Sequence, residues 1–172
     1  TDFKPCFDPV FQYSKMLSEL TTDKDRNILI ASDIKNETQK NPGICLILSD
    51  RKAHCENLKT ILRYRFKIDA EVLTGDIPIE KSQEILKKLN NGKIKILIAT
   101  GQLIGEGFDC RNLSTLFLAT PIKFSGRLLQ YIGRVLRPAP EKKRARIFDY
   151  IDVNVDVLKI AAKARQRTYE RG

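Results

Sequence analysis

Histidine is nearly absent from this sequence. His54 is the single one, which leaves no His-based metal site or catalytic triad. The four cysteines, Cys6, Cys45, Cys55 and Cys110, show no metal-ligand spacing. Cys45 stands inside an apolar run and reads as a small core residue. The pattern fits a reducing compartment, and the cytoplasm or nucleoid is the expected location. No apolar run approaches the roughly 20 residues needed to cross a bilayer, and no signal peptide is present. The Gly92-Lys93 pair is not a phosphate loop, because it follows a helix, precedes a strand and lacks the Gly-x-x-x-x-Gly-Lys-Ser/Thr pattern. No Gly-x-Gly-x-x-Gly opens a helix after the first strand, which disfavours a Rossmann-type enzyme. Internal repeats and low-complexity segments are also missing. The chain opens on Thr1 rather than methionine, which points to an excised or processed fragment.

What is present is an ordinary globular composition, with 42% hydrophobic and 30% charged residues. At 172 residues the prior is one domain, able to bury about 70% of its unfolded surface. The net charge of +10 is uneven. Residues 1–50 carry 6 basic and 8 acidic groups, whereas residues 121–150 carry 8 and 2. A local basic excess of this kind marks either a polyanion partner or a charge kept for solubility.

Along the chain, apolar runs alternate with amphipathic segments. Asp8-Pro9 reads as a helix start, with Val10, Tyr13, Met16, Leu17 and Leu20 as its stripe. A second helix begins near Thr22 or Asp23, carries Ile28, Leu29 and Ala31, and ends at Asn41-Pro42-Gly43. We assign residues 1–42 to a helical lead-in or linker and residues 43–172 to the main domain. Strands are expected at Ile44–Ser49, Ile68–Leu73, Ile94–Thr100, Thr115–Ala119 and Ala145–Asp152. Between them lie helices with Cys55, Leu58, Ile61 and Leu62, and then Ile85, Leu86 and Leu89, turned inward. A last helix from Val155 would bury Leu158, Ala161, Ala162 and Ala164 and leave Arg165, Arg167 and Arg171 solvated. This alternation implies a parallel α/β sandwich with right-handed crossovers.

Two stretches carry more than fold. The strand Ile94–Thr100 runs into Gly101 and then Gly105-Glu106-Gly107-Phe108-Asp109. Paired glycines allow close backbone contact, and a carboxylate just past a parallel strand stands where such sheets bind ligands. Further on, Phe124–Pro138 fits a helix with Leu128, Ile132, Val135 and Leu136 on one face. Arg127, Gln130, Arg134 and Arg137 share the opposite face, with Gly133 beside them. Guanidinium groups bind phosphate bidentately, although a solvated basic face would have the same spacing.

In order, these stretches resemble motifs V and VI of the superfamily II helicases. Motif V is ATGQLIGEGFD here, and Gln130-Tyr131-Ile132-Gly133-Arg134-Val135-Leu136-Arg137 fits the motif VI pattern Gln-x-x-Gly-Arg-x-x-Arg. Ser49-Asp50-Arg51 is similar to motif IV, although a capped strand-to-helix turn would look much the same. Thr74-Gly75 matches the family's Thr-Gly pair, and a plain turn is the competing reading. The likeness spans nearly the whole chain and is closest to the group that includes restriction-enzyme translocase subunits.

The resemblance implies a RecA-like three-layer α/β sandwich with a mostly parallel central sheet. Arg134 and Arg137 would be arginine fingers reaching the γ-phosphate of ATP, with Gln130 nearby. Gly107 and Asp109 would touch the ribose side of the nucleotide. Ser49, Asp50, Arg51, Thr74, Gly75 and Thr100 would line the groove for DNA or RNA. The phosphate loop and the Asp-Glu pair that holds Mg²⁺ belong, in this family, to an upstream RecA-like domain. The chain is therefore expected to be the second motor domain of an ATP-dependent helicase or translocase, and inactive when isolated. The competing class is a non-catalytic nucleic-acid-binding module derived from such a motor, with binding that falls steeply with salt.

Overall fold

A computed structural model describes residues 1–101, 110, 112–122, 129, 132, 133, 137 and 145–171. Five strands form one sheet in the order β2-β3-β1-β4-β5. They are β1 (Ile44–Leu48), β2 (Glu71–Leu73), β3 (Ile96–Ala99), β4 (Leu113–Leu118) and β5 (Arg146–Asp149). Every adjacent pair is parallel. The sheet expected to be mostly parallel is wholly so among the described residues. The helices are α1 (Tyr13–Thr22), α2 (Lys24–Lys40), α3 (Lys52–Phe66), α4 (Ile79–Asn90) and α5 (Asp156–Arg171).

Strand alternation sorts the apolar residues into two cores. Leu46, Leu48, Leu97, Leu116 and Leu118 face Ile85 and Leu89 of α4 and Ile132. Cys45, Ile47, Ile98, Phe117 and Ala119 face Ile30, Ala31 and Ile34 of α2 and Cys55, Leu58 and Leu62 of α3. Both faces are thus covered, which explains why β1 is apolar at all five positions and buried throughout. A third cluster packs Met16, Leu17 and Leu20 of α1 against Val155 and Leu158.

Several local expectations need correction. The first helix starts at Tyr13, not at Asp8-Pro9. Asp8 still accepts hydrogen bonds from the N–H groups of Val10 and Phe11, both at 2.8 Å, but it closes a turn, and Val10 is left exposed. The inward face of α2 is Arg26, Asn27, Ile30, Ala31, Ile34 and Glu37, rather than Ile28 and Leu29. Asp23 caps this helix through Arg26 N–H at 2.8 Å. The second strand begins at Glu71 and not at Ile68, because Ile68 completes the end of α3. Lys67 is left-handed (φ 58°) and its N–H donates to Arg63 C=O at 3.2 Å, the five-to-one bond of a left-handed helix C-cap, while Ile68 N–H donates to Leu62 C=O at 3.0 Å.

Gly43 joins α2 to β1 where β4 crosses closely. A Cβ there would lie 2.2 Å from Ser114 Oγ and 2.5 Å from Ser114 Cβ, so no side chain fits without parting the strands.

The last helix differs in its inward face. Leu158, Ala162 and Arg165 are buried, whereas Ala164 is exposed. Arg165, expected to be solvated, instead grips Asp149 of β5 with two bonds of 2.7 and 2.8 Å. Tyr169 O–H donates to the same carboxylate at 3.1 Å. A carboxylate at the end of an edge strand needs such donors once a helix covers it.

Candidate functional site

Because all strands run in one direction, the segments that follow them meet at a single sheet edge. Leu48, Ala99 and Leu73 are in register across β1, β3 and β2. One residue further on, Ser49, Thr100 and Thr74 form a row of hydroxyls. Backbone bonds continue into that row, with Ser49 N–H donating to Ala99 C=O at 3.0 Å and Thr100 N–H to Leu73 C=O at 3.4 Å. Asp50, Gly101 and Gly75 come next. A Cβ added to Gly101 would sit 3.7 Å from Asp50 Oδ1, so the turns after β3 and β1 abut. The structure therefore brings together all six of the expected nucleic-acid residues.

Their side chains are not equally available. Ser49 is fully buried, and Thr74 and Thr100 are nearly so. Asp50 and Gly75 are exposed and Arg51 is half-buried. The Asp50 side chain makes no capping bond to α3, so the capped-turn reading does not account for it. Its N–H donates to Thr120 Oγ1 at 3.0 Å, which fixes the turn to the end of β4. Although Asp50 is exposed as a residue, partial desolvation by the surrounding turns raises its carboxyl above the usual carboxylate range, against the opposing pull of Arg51. The Arg51 guanidinium reaches Ser14 of α1, donating to its hydroxyl at 3.0 Å and its carbonyl at 3.3 Å. Arg51 Nε is buried with no acceptor among the described residues.

Behind this turn lies a buried network that sequence reasoning missed. His54 is 2% exposed and sits between Ser49 Oγ and Asn27 Oδ1, each at 2.8 Å. Asn27 Nδ2 donates to Thr21 C=O at 2.9 Å, so the Asn27 oxygen faces the ring. The ring must then donate from Nε2 and accept at Nδ1 from the Ser49 hydroxyl. Burial, and then the nearby Arg26 cation, push the His54 imidazole down to about 3. The sequence did hold a signal, since a lone histidine five residues after a strand-end serine can fold back on it.

The linked stability has a definite sign. The unfolded imidazole takes a proton near pH 6.5 and the folded one only near pH 3. Stability is therefore intact above pH 6.5 and is lost as pH falls through that window, at about 1.4 kcal/mol per unit. As the single histidine, it gives one Cε1–H ring resonance. That resonance is expected to stay unshifted from pH 8 to pH 5, and a midpoint near 6.5 would contradict the buried neutral ring.

The other expected site residues are less fully described. Leu129, Ile132 and Gly133 are helical, with Ile132 buried in the core and Gly133 exposed. No described atom lies within 4 Å of a Cβ built on Gly133. Arg137 is exposed, in a bend. Gly107, Asp109, Gln130 and Arg134 lie outside the described residues. Cys45 and Cys55 are buried thiols, pushed up to about 12 and about 11 chiefly by burial, and are poor nucleophiles at neutral pH. No helix among the described residues is long and apolar enough to cross a membrane.

Comparison with known proteins agrees with this arrangement. The sequence profile of the helicase conserved C-terminal domain matches residues 13–139. Helicase 22 of the Sulfolobus islandicus filamentous virus is 34% identical over 139 residues, which is 81% of this chain and 24% of that protein. The ATP-dependent DNA helicase uvsW of Enterobacteria phage T4 is 36% identical over 81 residues, 46% of this chain and 16% of its own length. The crystal structure of T4 UvsW superimposes with a TM-score of 0.73 at 23% identity, covering 93% of this chain and 35% of that one. The chain thus spans only about a third of the length of these two relatives. The likeness to UvsW shows the fold, a RecA-like α/β domain with helices ahead of a five-stranded parallel sheet. A match over residues 13–139, on a fold that brings Ser49–Arg51, Thr74–Gly75 and Thr100 to one sheet edge, leads to one conclusion: the chain belongs to the helicase conserved C-terminal domain family of superfamily II helicases.

Proposed function

We propose that this chain is the second motor domain of an ATP-dependent superfamily II helicase or translocase. The observation that carries this reading is the shared sheet edge, where the turns after β1, β2 and β3 meet. Asp50, Arg51, Thr74, Gly75 and Thr100 would line one side of a groove for a DNA or RNA strand, through hydroxyls, backbone N–H groups and the Arg51 cation. Ser49 would act from behind this surface. Asp50 is not spent as a helix cap, which leaves its exposed carboxyl for another role.

Nucleotide would lie in a cleft between this domain and an upstream RecA-like domain, which is its main partner. Gly107 and Asp109 would meet the ribose side, with Gln130 close to the phosphates. Arg134 and Arg137 would neutralise charge on the γ-phosphate as it passes to water. The residues described in this chain offer no cluster of His, Cys, Asp or Glu for a metal. By the family resemblance, Mg²⁺ and the phosphate loop that offset phosphate charge would be supplied by the upstream domain. Closure on ATP and reopening after hydrolysis would step the two domains along one strand.

The division of labour is testable directly. The pure fragment is expected to show no steady ATP turnover, with or without nucleic acid, while the full-length protein shows turnover that nucleic acid stimulates. Sustained hydrolysis by the fragment would mean that it contains a complete site.

A further inference from the structure

We propose that His54 is a positioning residue that sets the Asp50–Arg51 turn for its nucleic-acid contact and ties that turn to the junction of α1 and α2. This inference rests on the reading of the sheet edge given above. Its basis is a chain of hydrogen bonds in which the Ser49 proton goes to His54 Nδ1 at 2.8 Å in preference to Arg51 C=O at 3.4 Å. Arg51 N–H donates to Ser49 Oγ at 3.2 Å. The Ser49 hydroxyl donates to His54 Nδ1, and His54 Nε2–H donates to Asn27 Oδ1, both at 2.8 Å. Asn27 Nδ2–H ends the chain on Thr21 C=O at 2.9 Å. Donation runs in one direction across four elements, from the turn after β1, through the first turn of α3 and of α2, to the last turn of α1.

Three further observations make this more than core packing. First, the chain begins at the backbone N–H of the residue whose guanidinium stands at the proposed groove. Second, that guanidinium returns to α1 through Ser14, so turn and helix are joined twice, once in the interior and once at the surface. Third, Ser49, His54 and Asn27 are each at most 2% exposed, so none can touch a strand itself. Buried polar chains of this kind stay ordered only when every member is satisfied. Breaking one link removes the interior tie between the turn and α1 and leaves only the Arg51–Ser14 contact at the surface.

The test uses the full-length protein and a single-stranded homopolymer as probe, measuring ATPase against probe concentration at fixed salt. In His54→Phe and in Ser49→Ala, the probe concentration for half-maximal stimulation is expected to rise about tenfold, while turnover at saturating probe stays within twofold. The double variant is expected to match the worse single, because one chain is broken in each case. If the two residues only fill the core, their variants lower the melting temperature and leave the half-saturating concentration of folded enzyme unchanged, and the proposal is overturned. Ser49→Ala keeps the test decisive should His54→Phe fail to fold. Arg51→Ala separates the two layers of the argument. If it leaves probe dependence unchanged, the reading of the edge itself fails. If Arg51→Ala weakens probe dependence and the His54 and Ser49 variants do not, only the positioning role fails.

Discussion

In the full-length protein, Arg134→Ala is expected to lower nucleic-acid-stimulated ATP turnover by about 10³–10⁵, the usual worth of an arginine finger, while ATP binding persists. The reason is geometric and electrostatic. Ile132 is buried in the core, and the sequence spacing leads us to expect Gln130 and Arg134 on the face opposite it. Charge builds on the γ-phosphate mainly in the transition state, so a guanidinium aimed there lowers the barrier more than it tightens the ground state. Lysine at 134 keeps the charge but loses the planar fork, and it is expected to recover only part of the rate. Turnover within threefold of wild type in Arg134→Ala would remove the finger assignment and favour a binding module without a motor role.

Arg26→Ala is expected to destabilise the domain by about 3–5 kcal/mol, a large part of the 5–15 kcal/mol typical of a whole domain. Arg26 is 2% exposed and joins α2 to the far end of the sheet. Its Nε and Nη2 donate to Asp152 at 3.0 and 3.3 Å, and its Nη1 donates to Ala119 C=O at 2.6 Å. Truncation leaves a buried carboxylate with the Thr1 hydroxyl as its remaining side-chain donor among the described residues, and a buried carbonyl with no donor from α2. The measurement is the urea midpoint, with the slope unchanged if only stability moves. Arg26→Met combined with Asp152→Leu should recover most of the loss, since replacing both partners removes the unpaired charge. A loss below about 1 kcal/mol in the single variant would show that Asp152 is already solvated, against its 1% exposure.

Much of the fold could be read from local pattern. β1 and β3 are continuous apolar runs because helices cover both faces, and that run is itself the signal of a parallel sheet. The helices α3 and α4 were legible from spacing, and the turn residues after the strands from their position. The errors about which polar groups are buried have one common cause. Local pattern treats a charged residue as solvated, so Arg26 and Arg165 were invisible as interior residues. Each is buried because a carboxylate from the far side of the fold, Asp152 or Asp149, meets it there. Ser49 was read as a surface contact for the same reason, since nothing near it in sequence announces that His54 and Asn27 will close over its hydroxyl.

By itself, then, the sequence determined the alternation of strand and helix, the parallel sheet and the family motifs, because periodicity and short motifs are local properties. The tertiary structure alone decided which polar groups are spent inside and which are left to act. Hydrogen-bond and ion-pair partners 16 to 126 residues apart become neighbours only when the strands assemble. Burial then makes each such pairing obligatory, because an unpaired charge or hydroxyl in that interior costs more than the fold can spare.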